Sequence, residues 1–311
     1  MGSWLSNAFA CCGDRRRRNA THTSRSATPR SPPLPPPPLY IPSISFSAAG
    51  LHAIYLMAVA HTFLEMNVKC DEYYCTSGGV FAALYCILDW RKDVDMQTML
   101  NILPTGVLRN NATVMGTVKR WFKRHVGRNK TEYDGPRGIE LARKNVLDVL
   151  TRLINRDPNT YQRVSGRIFI TVTRWPFLKR TVESQFRSNH DLLGCIYAST
   201  DIPGVAGKRF LSGQVWRDSR YADGGILDIH PIKDKDTVCV STMKFSVRPS
   251  SPAARLKGMD MCEIGRNYDY YGAQHVLYKV YYSQLWNEGI RDSEVFVKQR
   301  QLRQQQQARQ Q

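Results

Sequence analysis

The chain has 311 residues, 42% of them hydrophobic, and its 44 Lys and Arg against 26 Asp and Glu give a formal net charge of +18. That length holds one large domain or two small ones with a real core, and the charge suits an anionic membrane or nucleic acid equally, so charge alone chooses no partner. Eight cysteines (Cys11, Cys12, Cys70, Cys75, Cys86, Cys195, Cys239, Cys262) show no CxxC pair and no compact metal spacing, which excludes a disulfide framework, argues against a metal site and points to reduced cytosolic thiols.

Residues 1–42 read as a disordered tail: a basic run at Arg15–Arg18, a Ser/Thr/Arg stretch, then SPPLPPPPLYIP, too poor in apolar surface to offset ordering entropy. The opening residues lack the apolar stretch and cleavage site of a signal peptide. Gly2 with Ser6 fits the myristoylation pattern M-G-x-x-x-[ST], Cys11 and Cys12 are adjacent palmitoylation candidates, and Arg15–Arg18 follow. One acyl chain holds a membrane only marginally; a second chain or a basic cluster makes residence stable, which places the protein on the cytoplasmic face of membranes or on lipid droplets. Pro37-Pro38-Leu39-Tyr40 has the form read by WW domains and Arg30-x-x-Pro33-x-x-Pro36 the form read by SH3 domains; a bare spacer is the alternative.

The stretch 44–63, ISFSAAGLHAIYLMAVAHTF, carries no Asp, Glu, Lys or Arg and has about the length of a spanning helix. Ser45, Ser47, Gly50, His52, His61 and Thr62 dilute it, so a buried strand, turn and helix is the preferred reading. The periodicity predicts a strand at 43–47, a helix at 51–66, a strand at 70–77 and a buried helix at 78–90. Helices follow near 95–103, 111–126 and 138–155. GRIFITVTRW (166–175) is the clearest strand, with others at 180–186 and 237–242. Strands alternating with helices predict an α/β fold with a largely parallel sheet. The basic, aromatic stretch KRWFKRHVGRNK (119–130) reads first as a solvated helix face and second as an interfacial helix. Nucleic acid ranks third, with no recognisable module to bind it. From about 298 the chain, KQRQLRQQQQARQQ, is a low-complexity basic tail, solvated or a frayed helix.

Ser77 ends a strand and begins a helix, with Thr76 before it and Gly78 and Gly79 after it. A serine on such a turn projects its hydroxyl above the sheet, and the free N–H groups of the helix start suit a developing oxyanion. Three small residues at a strand end are also ordinary punctuation. A nucleophilic serine needs a base, and Asp223 with His230 or His275 offers one in chain order. Asp223 lies in YADGGILDIHP, followed by Gly224 and Gly225 at a loop, and a plain Asp-Gly turn is the bland reading.

These features together resemble the patatin-like phospholipase family, nearest to its adipose triglyceride lipase and adiponutrin group, over about 43–245. SFSAAGLHAIYLMAVA is similar to the family's oxyanion turn and first helix, CTSGGVFAAL to its serine elbow, and VSGRIFITVTRW to its central strand. FRSNHDLLGCIYASTDIPGVAG is similar to the helix and Pro-containing loop after it, and YADGG to the second catalytic motif. The resemblance implies a three-layer fold, a central sheet flanked by helices, over a domain at 43–250 with a C-terminal extension at 251–311. It implies a Ser77–Asp223 dyad without histidine, an acyl-enzyme on Ser77, a glycerolipid substrate and no cofactor. Ala48, Ala49 and Gly50 are the implied oxyanion donors. Three departures stand out: Ala48-Ala49 in a normally glycine-rich turn, Ala53 where a further glycine is expected, and Cys75 where the elbow opens with glycine. If such a site needs positive φ, alanine or cysteine is disfavoured by roughly 1 kcal/mol or more, and one lost oxyanion donor costs about a hundred- to a thousand-fold in rate. The expectation is therefore a lipid acyl hydrolase, with a catalytically weak lipid-binding adaptor as the alternative.

Overall fold

In the computed structural model the residues described are 38–102, 138–202, 213–242, 264–265 and 278–310. Gly2, Cys11, Cys12, Pro37, the expected helix at 111–126, the stretch 119–130 and His275 lie outside them. The uncharged segment at 44–63 is divided between strand β1 (Tyr40–Phe46), a 3-10 turn (Gly50–His52) and helix α1 (Ala53–Glu65). Among the described residues no helix is long and apolar enough to cross a membrane. Leu39 is fully buried and Tyr40 is the first residue of β1, its hydroxyl donating to Asp71, so the end of the Pro37-Pro38-Leu39-Tyr40 motif is built into the sheet and is not a free peptide.

Strand β2 (Lys69–Thr76) follows, then helix α2 (Gly79–Leu88). The helix expected to reach 90 stops at Leu88 because Asp89 turns left-handed, with φ 52°, and caps it. Helices α3 (Met96–Ile102), α4 (Gly138–Ile154) and the short α5 (Thr160–Val164) precede strand β3 (Ile168–Trp175). Next come β4 (Lys179–Glu183), α6 (Asn189–Ser199), β5 (Gln214–Trp216), β6 (Ser219–Asp223), β7 (Val238–Ser241), β8 (Ile264–Gly265) and helix α7 (Tyr278–Gln310). β1, β2, β3, β7 and β8 are mutually parallel in the order β3-β2-β1-β7-β8, and β4, β5 and β6 add an antiparallel arm at β3. The largely parallel sheet flanked by helices is thus present. β6 replaces the loop expected around Asp223: it is a five-residue strand of Ser, Arg, Tyr, Ala and Asp, held by β3 and β5 on either side, with no periodicity of its own to announce it.

Helix α1 is buried around almost its whole circumference, from Ala53 to Ala60 and again at Thr62 and Phe63. Such a helix needs cover on several sides. α7 supplies part of it: Phe296 packs on Phe63, Trp286 on His61, and the Tyr55 hydroxyl donates to Asp292 at 2.9 Å. Tyr282, Leu285, Trp286, Phe296 and Val297 are buried, whereas residues 302–310 of the same helix are exposed all round. The described cysteines Cys70, Cys75, Cys86, Cys195 and Cys239 are buried thiols outside any disulfide.

Candidate active site

β2 hands the chain to α2 through Ser77, whose φ of 51° is left-handed and costly for a residue with a side chain. Ser77 is 5% exposed and Asp223 3%. The Ser77 hydroxyl donates directly to Asp223 Oδ2 at 2.6 Å. Strand register explains why two residues so far apart in sequence meet. Ile170 and Thr171 pair with both β2 and β4, and Val172–Arg174 pair with both β4 and β6. A strand has two edges, so β2 and β6 share one edge of β3, end to end. Thr76 lies opposite Thr171 and Asp223 opposite Val172, which brings the two strand tips, and the side chains at them, face to face. Two glycines permit the close approach: a Cβ on Gly224 would lie 2.1 Å from the Thr171 carbonyl, and one on Gly79 2.4 Å from that of Phe46.

The carboxylate is fixed on several sides. Gly225 N–H donates to Asp223 Oδ1 at 2.7 Å, Asp223 N–H donates to the Asp201 carbonyl at 2.9 Å, and Thr173 Oγ1 donates to the Asp223 carbonyl at 2.9 Å. Burial pushes the Asp223 carboxyl up to about 7, and the Asp201 charge pushes the same way. The Ser77 hydroxyl, the Gly225 amide and the Arg143 charge oppose that rise. A carboxyl near neutrality that already accepts the serine proton's hydrogen bond has the properties of a general base. His230 is buried, its Nδ1 has no hydrogen-bond partner, and burial lowers it to about 4, which keeps the ring neutral.

Sequence reasoning missed Ser199. This fully buried residue at the end of α6 accepts the Ser77 N–H at 3.1 Å and donates to the Thr171 carbonyl at 2.8 Å, tying the elbow to β3. A serine closing a helix carries no distinctive signal, and only the convergence of three elements reveals it.

The altered turn is less strained than its composition suggests. Within Ala48-Ala49-Gly50 only Gly50 has positive φ, 52°, and there the glycine is retained; Ala49 sits at φ −138°. Cys75 is an ordinary buried strand residue whose thiol donates to the Phe169 carbonyl at 3.7 Å, so cysteine meets no conformational penalty at that position. One expectation is corrected: the Ala48 N–H donates to the Ile229 carbonyl at 2.9 Å, so this amide is tied to the loop after Asp223 and is not an open donor. Gly50 lies against Gly78, the residue after Ser77, its nitrogen 3.3 Å from where a Cβ on Gly78 would sit. The Gly78 and Gly79 amides stand at the start of α2, which has no intrahelical acceptor for them.

A strand-to-helix serine bonded directly to an aspartate, on a largely parallel sheet, is an arrangement suited to serine acyl transfer. Residues 44–234 match the family described as patatin-like phospholipase, and the chain belongs to that family. It is 22% identical over 205 residues to the omega-hydroxyceramide transacylase of Mus musculus, covering 64% of this chain and 30% of that protein. It is 33% identical over 84 residues to the 1-acylglycerol-3-phosphate O-acyltransferase Pnpla3 of Mus musculus, covering 27% of this chain and 20% of that protein. The chain spans about a third or less of the length of these curated relatives. Among solved structures, VipD from Legionella pneumophila matches with 14% identity and a TM-score of 0.31, over 64% of this chain and 49% of that one.

Proposed function

We propose that the protein is a membrane-associated lipid acyl hydrolase that works through a Ser77–Asp223 dyad. Ser77 Oγ attacks the ester carbonyl as Asp223 Oδ2 takes its proton; the tetrahedral intermediate collapses, the alcohol leaves with that proton, and the acyl group stays on Ser77. Water, activated by the same carboxylate, then releases the fatty acid. The names of the relatives include a transacylase and an acyltransferase, and an alcohol acceptor in place of water gives acyl transfer by the same second step. The observation that carries this reading is the direct 2.6 Å hydrogen bond between the two side chains. Oxyanion stabilisation falls to the amides of Gly50 and Gly78 in place of Ala48.

The test is labelling of the protein with a fluorophosphonate, and fatty-acid release from phospholipid and triacylglycerol, beside Ser77→Ala and Asp223→Asn. Both variants should lose about a thousand-fold or more in rate. The base acts only as carboxylate, so with Asp223 raised to about 7 the wild-type rate should fall as pH drops through that value. Equal release by all three proteins overturns the reading. The engaged Ala48 amide favours one second reading, a slow or inactive patatin-like domain that serves as a lipid-binding adaptor. A slow domain predicts labelling of Ser77 far slower than turnover on lipid requires, and an inactive one predicts none.

For the domain layout we propose a tethering tail at 1–42, a catalytic domain at 43–250 and an extension at 251–311 whose helix covers α1. Acylation at Gly2, Cys11 or Cys12, with Arg15–Arg18 on the anionic leaflet, would hold the protein on the cytoplasmic face of a membrane or on a lipid droplet. The stretch Arg30–Pro36 remains a candidate SH3 ligand, while the buried Leu39 weakens the WW form.

A further inference from the structure

Seven large apolar side chains are exposed among the described residues, and four of them, Phe177, Leu178, Val215 and Ile226, belong to the antiparallel arm or the turn that follows it. The concentration is greatest at the β3–β4 hairpin, where Pro176-Phe177-Leu178 forms the connection, Phe177 is 80% exposed and Leu178 48%. Arg174 and Lys179 pair across the base of this tip on the face opposite Trp175, and both are exposed. Trp175 pairs with Arg220, and Arg220 with Val215. Directly paired residues point to the same face of a sheet, so this row prolongs the hairpin's apolar tip across three strands. The opposite face of the arm is occupied: Trp216 and Tyr221 are buried there, with Trp216 Nε1 donating to the Asp191 carbonyl of α6 at 2.9 Å.

We propose that the Phe177–Leu178 tip, with the Trp175–Arg220–Val215 row, is the face by which the protein docks onto an anionic phospholipid surface. An apolar tip with Arg220 on one face of the arm and Arg174 and Lys179 on the other matches the boundary between acyl chains and acidic headgroups: the tip enters and the long basic side chains reach back to phosphate. A neutral or cationic partner gives these cations no counterpart. Arg220 is three residues from Asp223 along β6, about 10 Å, and the two side chains leave opposite faces of the strand, so this surface holds the arm on the bilayer without opening directly onto the dyad. Here the inference rests on the lipid-hydrolase reading and assigns the surface that holds the protein on lipid.

The experiment uses the full chain carrying Gly2→Ala, so that no myristoyl anchor contributes, with and without Phe177→Ser/Leu178→Ser. Partitioning is measured on vesicles of phosphatidylcholine alone and mixed with phosphatidylserine; turnover of a soluble short-chain ester and thermal melting are measured in parallel. The double variant should bind the mixed vesicles about tenfold to a hundredfold more weakly, with soluble-ester turnover and melting unchanged. Arg174→Gln/Lys179→Gln should weaken binding on the phosphatidylserine mixture and leave that on phosphatidylcholine alone as it was. Equal partitioning of the folded Phe177→Ser/Leu178→Ser protein and its parent overturns the proposal. So does a change of oligomeric state with vesicle binding intact, which would make this a contact between copies of the chain. Hairpin-dependent binding by a protein that turns over no ester would sink the hydrolase reading and leave the docking face standing.

Discussion

A serine held at φ 51° carries on the order of 1–3 kcal/mol of backbone strain, and something must over-determine it. Ser199 does so by accepting the Ser77 N–H in a buried site. Ser199→Ala leaves that amide buried and unsatisfied, at a cost of about 1–3 kcal/mol. If the strain is relieved by a shift of the elbow, kcat and the fluorophosphonate labelling rate should fall roughly tenfold to a hundredfold with KM little changed. A lower melting temperature with an unaltered labelling rate in the folded protein would reduce Ser199 to a packing role. Ser77 and Asp223 are legible in the sequence because serine elbows and Asp-Gly-Gly turns have short, recognisable forms. Ser199 and the engagement of the Ala48 amide are not, since each depends on a partner more than a hundred residues away.

At the scale of elements, periodicity announces those that bury a regular face and is silent on those held by their neighbours. β3, rich in Ile, Phe, Val and Thr, and α2 both lie within a few residues of the ends their patterns predict. β6 reads as a loop because its strand character comes from pairing on both sides. Composition overstates the cost of Cys75 and Ala48-Ala49 for a related reason: it shows which residues stand in a turn but not which of them carries the positive φ. The contact of α7 with α1 cannot be read from local sequence at all. It hinges on Gly289, where an added Cβ would lie 2.7 Å from the Tyr55 carbonyl and 2.8 Å from Ala58 Cβ. Gly289→Leu should therefore pry the two helices apart and destabilise the protein by about 1–3 kcal/mol, measured by denaturant unfolding. The matching control is Gln304→Leu, on the exposed last part of the same helix, which should leave stability within about 0.5 kcal/mol.

For the whole molecule, a formal charge of +18 leaves the choice between membrane and nucleic acid open, and membership of the patatin-like phospholipase family turns it toward lipid. If acylation of Gly2 is the main tether, Gly2→Ala in cells should move most of the protein from the membrane pellet to the supernatant, with the residual fraction released by high salt as the basic run at Arg15–Arg18 is screened. Unchanged sedimentation would assign retention to other surfaces. One further constraint comes from the way β2 and β6 abut on a single edge of β3. Two rods meeting in one groove have a fixed combined length. A residue inserted near either tip has no empty edge to move into and must push the opposing tip away, so the chain can vary its loops freely and this seam hardly at all. Drift around the serine and aspartate is therefore tolerated in composition, as Cys75 and Ala48 already illustrate, and resisted in residue count.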